Sequence, residues 1–219
     1  MLKLVIFDYD GLLVESEHIA YKAEKAILEK YHRKLTKELF IRYLGFSVRD
    51  TIKGYIAQLN MPISAEDFLK ERNAYLDLFL ESELRLKPGA NDLLKYFKKK
   101  NIKSVIASSG TIEYIEKGLD VLKIRPFFIN ITSVSEVDRG KPQPDLFLKA
   151  LEKNNTNANE AIVLEDAISG ITAAKVAKIF CVAVPPVGVD LQAYHIADLV
   201  LGSLAEIIPL YENGLLGIN

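Results

Sequence analysis

The chain has 219 residues, 49% of them hydrophobic and 26% charged, enough for one large domain or a domain with a smaller insertion. The formal net charge is −1, from 28 basic and 29 acidic residues, so no long-range field draws the chain to nucleic acid or to an anionic membrane. A single cysteine, Cys181, excludes an intramolecular disulfide and a cysteine-based metal cluster.

In chain order, residues 2–7 form an apolar run broken only by Lys3, too short for a helix and rich in Val and Ile, which predicts a strand buried on both faces. From about Ser16 to Ser82 no strand pattern occurs. The stretch predicts several helices, two opened by the capping patterns Ser47-x-x-Asp50 and Ser64-x-x-Asp67. An all-helical block of that length between strands is expected to be an inserted domain rather than a loop.

After Pro88-Gly89, apolar residues at Leu93, Leu94 and Phe97 predict a helix, with Lys98, Lys99 and Lys100 at its solvated end. Strands are then predicted over 104–107, 128–131, 161–164, 179–184 and 199–201. Between them lie the helical stripe Ile112, Ile115, Leu119 and Leu122, and a helix with Pro144 in its first position and Phe147, Ala150 and Leu151 on its apolar face. Cys181 falls inside the fifth of these six runs, where a buried, inert thiol is expected. The alternation predicts an α/β fold, a Rossmann-like parallel sheet flanked by helices, with an inserted all-helical cap. The predicted boundaries are 1–15 and 85–219 for the discontinuous core and 16–84 for the cap. No internal repeat is read. No signal peptide and no run near the ~18 apolar residues of a membrane span is read either, and a cytoplasmic, monomeric protein is expected.

Four groups of residues carry chemistry. In Asp8-Tyr9-Asp10-Gly11, two carboxylates one residue apart at a strand end point to the same side. At about 4 Å they repel by ~4 kcal/mol at an effective dielectric near 20, which a divalent cation held by oxygen ligands relieves. Ser108-Ser109-Gly110 stands between a strand and a helix, where a hydroxyl and helix N-terminal amides suit an anion. Lys141 lies in Arg139-Gly140-Lys141-Pro142-x-Pro144-Asp145, a setting that suits a fixed cation. Glu165 and Asp166 end the strand predicted over 161–164 and are followed by Gly170. Taken singly, the first two read better as a turn and a helix cap, the third equally as a solvated lysine, and the fourth as a common charged strand end. All four lie at the C-terminal ends of strands, where open α/β sheets bind ligands.

In this order and spacing the four groups resemble the haloacid dehalogenase-like superfamily, in its branch with a helical cap inserted after the first motif. The resemblance covers nearly the whole chain. It implies an Mg²⁺-dependent phosphatase acting on a small phosphorylated metabolite, a sugar phosphate or similar. Asp8 would be the nucleophile and Asp10 the acid and base. Ser108, Ser109 and Lys141 would hold the phosphate. Asp8, Asp166 and the backbone carbonyl of Asp10 would bind the metal, with Glu165 a further ligand or a partner of the ligands. The cap would offer Glu17, His18, Gly45, Ser47 and Arg49, and Arg49 equally suits a first-turn surface position.

An acid at Asp10 argues against dehalogenation, because the founding dehalogenases lack one there. β-Phosphoglucomutases share the four motifs. They usually carry a lysine where this chain has Leu44 and a histidine where it has Ala20, and both departures favour a phosphatase. A catalytically silent binding or regulatory protein is a third reading. The three histidines, His18, His32 and His195, lack metal-ligand spacing and a serine partner.

Overall fold

The computed structural model describes residues 1–43, 46 and 48–216. Six strands form one fully parallel sheet in the order β3-β2-β1-β4-β5-β6. They are β1 (Leu4–Phe7), β2 (Lys103–Ser108), β3 (Ile131–Ser133), β4 (Ala161–Glu165), β5 (Phe180–Ala183) and β6 (Leu199–Val200). Among the described residues there are nine α-helices. α1 (Glu17–Lys30), α2 (Lys37–Arg42), α3 (Val48–Leu59) and α4 (Ala65–Glu83) follow β1. The later ones are α5 (Ala90–Lys99), α6 (Ile112–Val121), α7 (Asp145–Asn154), α8 (Ile168–Val176) and α9 (Ile207–Glu212). No helix among the described residues is long and apolar enough to cross a membrane.

The chain divides into two units, Met1–Glu15 with Arg85–Asn219, and Ser16–Leu84. In the first, β1 lies between β2 and β4, Phe7 beside both Ile106 and Leu164. Every residue of β1 and β4 is buried, which explains their unbroken apolar sequence. One face of the sheet packs Leu4, Ile6, Val105 and Val163 against Leu146, Phe147 and Ala150 of α7 and Ile171 and Ala174 of α8. Leu93, Leu94 and Phe97 of α5 are buried while Lys98, Lys99 and Lys100 are exposed, as their spacing predicts.

The second unit is helical. Ile27 and Leu28 of α1, Ile52 and Tyr55 of α3 and Phe68 of α4 share its core with Leu35, Leu39 and Met61. Glu24 is also buried there, accepting from Arg72 Nε at 3.0 Å and from the Tyr55 hydroxyl at 3.1 Å. At the start of α4 the Ser64 hydroxyl accepts from the Asp67 amide at 3.0 Å and donates to Asp67 Oδ2 at 2.7 Å. The carboxylate thus accepts a hydrogen bond from the serine hydroxyl rather than from the Ser64 amide. The pattern Ser47-x-x-Asp50 begins outside the described residues.

The strand predicted over 128–131 lies further on, at Ile131–Ser133. Arg125–Phe127 forms a single 3₁₀ turn, and the Phe128 amide donates to the Arg125 carbonyl at 3.1 Å. The Phe128 carbonyl is taken by Arg125 Nη1 at 2.7 Å. Both backbone groups of Phe128 are therefore spent on the turn, and apolar character alone does not make it a strand residue. Pro144 stands one position before α7 instead of in its first turn.

Candidate active site

Three of the four motifs stand at the C-terminal ends of strands, while Lys141 lies eight residues past β3. Asp8 follows β1, and its amide donates to the Leu164 carbonyl at 3.0 Å, carrying the ladder one residue past the strand. Ser108 and Glu165 are the last residues of β2 and β4. These three neighbouring strands bring together residues far apart in the chain. The chain steps from β1 to β2 on one side and later returns to β4 on the other, and open parallel sheets bind ligands at such a reversal.

Beyond β1 the backbone folds back tightly. The Tyr9 carbonyl accepts from the amides of Leu13 and Val14, and the Gly11 amide donates to the Val14 carbonyl at 3.0 Å. Gly11 has φ +81°, and a Cβ there would meet Asp166 Oδ2 at 2.1 Å. Glycine is required twice over, by the left-handed backbone and by the carboxylate beside it. Tyr9, between the two aspartates, is fully buried.

Lys141, on the segment between β3 and α7, has a side chain only 6% exposed. Its Nζ lies 2.5 Å from Asp8 Oδ1 and 2.5 Å from Glu165 Oε1, and 5.1 Å from the centre of the Phe147 ring. Glu165 Oε2 accepts from the backbone amides of Asp166 and Ala167 at 2.9 and 3.0 Å. Glu165 thus has the lysine on one oxygen and two amides on the other. Asp8, Glu165 and Asp166 each offer a carboxylate oxygen within 4.8 Å of the others.

The charge in this buried space is out of balance. Burial pushes the Asp8 carboxyl up to about 7; Lys141 pulls it down, and Glu165 and Asp10 add to the rise. Burial works to lower Lys141, but Asp8 and Glu165 outweigh it and hold the ammonium above its ordinary range. One lysine faces several carboxylates, and an all-oxygen donor set with surplus negative charge suits a hard divalent cation.

Asp10 lies beside this cluster. Its Oδ1 accepts from the Tyr114 hydroxyl of α6 at 2.7 Å. Ser108 is buried, and its hydroxyl accepts from the Gly110 amide at 3.0 Å, while Ser109 is exposed. The Gly110 carbonyl is tied down by the Ser133 hydroxyl at 2.7 Å, fixing the loop ahead of α6. Tyr114 and Ser133 are contacts that the motifs do not announce.

The helical unit holds the remaining candidates. Arg49 is exposed on α3. Glu17 opens α1, and His18, also exposed, lies 3.6 Å from Glu83. Gly45 and Ser47, with Leu44, lie outside the described residues. The core thus assembles Asp8, Asp10, Ser108, Lys141, Glu165 and Asp166, while Arg49, Glu17 and His18 belong to the other unit.

Residues 5–184 match the sequence model of the haloacid dehalogenase-like hydrolases. Over 216 residues the chain is 33% identical to (DL)-glycerol-3-phosphatase 2 of Arabidopsis thaliana, covering 94% of this chain and 88% of that protein. Over 178 residues it is 30% identical to a phosphorylated carbohydrates phosphatase of Thermotoga maritima, covering 81% and 82%. The crystal structure of CbbY from Rhodobacter sphaeroides in complex with phosphate superimposes with a TM-score of 0.85, at 24% identity over 94% of this chain and 96% of that one. At that identity the likeness is one of fold.

Proposed function

This chain belongs to the haloacid dehalogenase-like hydrolases, and from that premise we propose that it is an Mg²⁺-dependent phosphatase of small phosphorylated metabolites, working through an aspartyl-phosphate on Asp8. The observation that carries the reading is the buried Asp8–Lys141–Glu165 contact at the ends of adjacent strands, with Asp10 and Asp166 beside it. A carboxylate held in place by an ammonium is poised as a nucleophile. The phosphatases that the chain is similar to support a polyol or sugar phosphate as substrate.

In the proposed reaction an Asp8 oxygen attacks phosphorus and the bond from phosphorus to the ester oxygen breaks. Asp10 delivers its proton to the departing alkoxide. Asp10, now a carboxylate, takes a proton from water as the water attacks the phosphorus of the acyl phosphate. Phosphate leaves and Asp8 is regenerated. Lys141, Ser108, Ser109 and the amides near Gly110 hold the non-bridging oxygens. Asp8, Asp166 and the Asp10 carbonyl would hold the metal, with Glu165 either joining them or acting through Lys141. When bound, Mg²⁺ supplies charge neutralisation between the carboxylates and the phosphate dianion. Arg49 is proposed as a substrate contact of the cap.

The test is phosphate release from a panel of sugar, polyol and other small phosphate esters, with and without Mg²⁺, alongside Asp8→Asn. Magnesium-dependent release lost in Asp8→Asn is the expected result. Conversion of β-glucose 1-phosphate to the 6-phosphate without release would replace the phosphatase by a mutase. Neither activity would leave a binding or regulatory protein.

A further inference from the structure

Tyr114 occupies a place that its position in α6 does not explain. Helix α6 buries Ile115 and Leu119 against the core, and Tyr114 lies off that stripe. Its ring stands edge-on to Tyr9, with centroids 5.7 Å apart and planes at 87°. It also lies against the phosphate-loop backbone, since a Cβ on Gly110 would come 3.2 Å from Tyr114 Cδ1. The helix start that carries it is fixed by the Thr111 hydroxyl, which accepts from the Tyr114 amide at 3.3 Å. The ring is thus held on two sides, and its hydroxyl donates to Asp10 Oδ1 at 2.7 Å.

From this geometry we infer that Tyr114 is a positioning residue for leaving-group protonation: its hydroxyl, donating to Oδ1, fixes the orientation of the Asp10 carboxyl. The inference rests on the phosphatase reading above. The hydrogen bond fixes the rotation of the carboxyl, which sets the direction from which the proton reaches the ester oxygen. In the balanced step, the bond from phosphorus to the ester oxygen breaks, the proton passes from the Asp10 carboxyl to that oxygen, and Asp10 is left as a carboxylate. Tyr114 keeps its own proton throughout. The arrangement also couples Asp10 to Ser108, because the Tyr114 ring packs against the loop whose Gly110 amide donates to the Ser108 hydroxyl.

The experiment compares two esters in one variant. An alkyl phosphate such as glycerol 3-phosphate needs its leaving oxygen protonated, whereas p-nitrophenyl phosphate releases a stable phenolate that does not. The quantity to read is kcat/KM, which covers events only up to phosphorylation of Asp8 and so leaves out the later work of Asp10 as a base. Tyr114→Phe keeps the ring and removes the hydroxyl. It is expected to lower kcat/KM for glycerol 3-phosphate by about tenfold or more, while that for p-nitrophenyl phosphate falls by less than about threefold. The ratio between the two esters is insensitive to the fraction of folded protein, so it remains decisive for a partly unfolded variant. An equal fall for both esters, or no fall for either, overturns the inference and leaves the phosphatase reading standing. If the unsubstituted protein shows no Asp8-dependent release from any ester, the phosphatase reading fails and this inference falls with it.

Discussion

Glu165 fills the space beside Gly170: a Cβ at residue 170 would lie 1.7 Å from Glu165 Oε1, the oxygen that receives Lys141. Glycine inside a helix costs about 1 kcal/mol relative to alanine, so its presence in α8 marks the room that the carboxylate needs. Gly170→Ala is expected to displace Glu165 and loosen Lys141, lowering kcat by about 100-fold or more despite the better helix propensity. Phosphate-release kinetics beside a thermal melt check this, and unchanged kcat would show that Lys141 is held without Glu165.

Lys141 and Asp8 should behave oppositely when removed. Lys141→Met leaves two buried carboxylates without their shared ammonium, and breaking such a pair costs about 3–5 kcal/mol. Asp8→Asn leaves Lys141 paired with Glu165 and removes one of the crowded charges, so it is expected to be inactive yet as stable as the unsubstituted protein. Urea unfolding of both variants without added metal distinguishes them. Equal destabilisation would mean that the charge imbalance contributes nothing to stability.

In the helical unit, Glu24 is held by Arg72 and Tyr55. Arg72→Met alone is expected to cost about 3–5 kcal/mol, because it leaves a buried carboxylate without its cation. Replacing all three groups, with Glu24→Leu, Arg72→Met and Tyr55→Phe, should restore most of that loss. Denaturant unfolding of the full chain followed by circular dichroism gives the comparison.

Burial, with Glu165 and Asp198 nearby, pushes the Cys181 thiol up. The native protein is therefore expected to resist a disulfide reagent at pH 8 and to react with it stoichiometrically once unfolded. Rapid labelling of the native state would show that β5 opens to solvent.

Much of this architecture is legible in the chain. Strands buried on both faces announce themselves as unbroken apolar runs, which is why β1, β2, β4 and β5 stand where the pattern puts them. The acids are legible because each ends such a run. The third strand misleads because Phe128, apolar and buried, gives its backbone to Arg125 instead of to the ladder. Tyr114 and Ser133 are hidden for a different reason. Their importance lies in what they touch, and the carboxylate that Tyr114 meets is 104 residues away. A tyrosine beside the apolar stripe of a helix carries no mark of that partner.

The central position of β1 bears on how the molecule is made. Leu4 pairs with Lys103 and with Ala161, so β1 has no strand neighbours in this sheet until much later segments follow. Until then its four apolar residues must be kept from straying, while the helices of residues 16–84, whose contacts are closer in sequence, are free to form first. A nascent or truncated chain ending before residue 161 would hold Asp8 and Lys141 but lack Glu165, the second carboxylate that grips the lysine, so the charge cluster closes only when β4 joins the sheet.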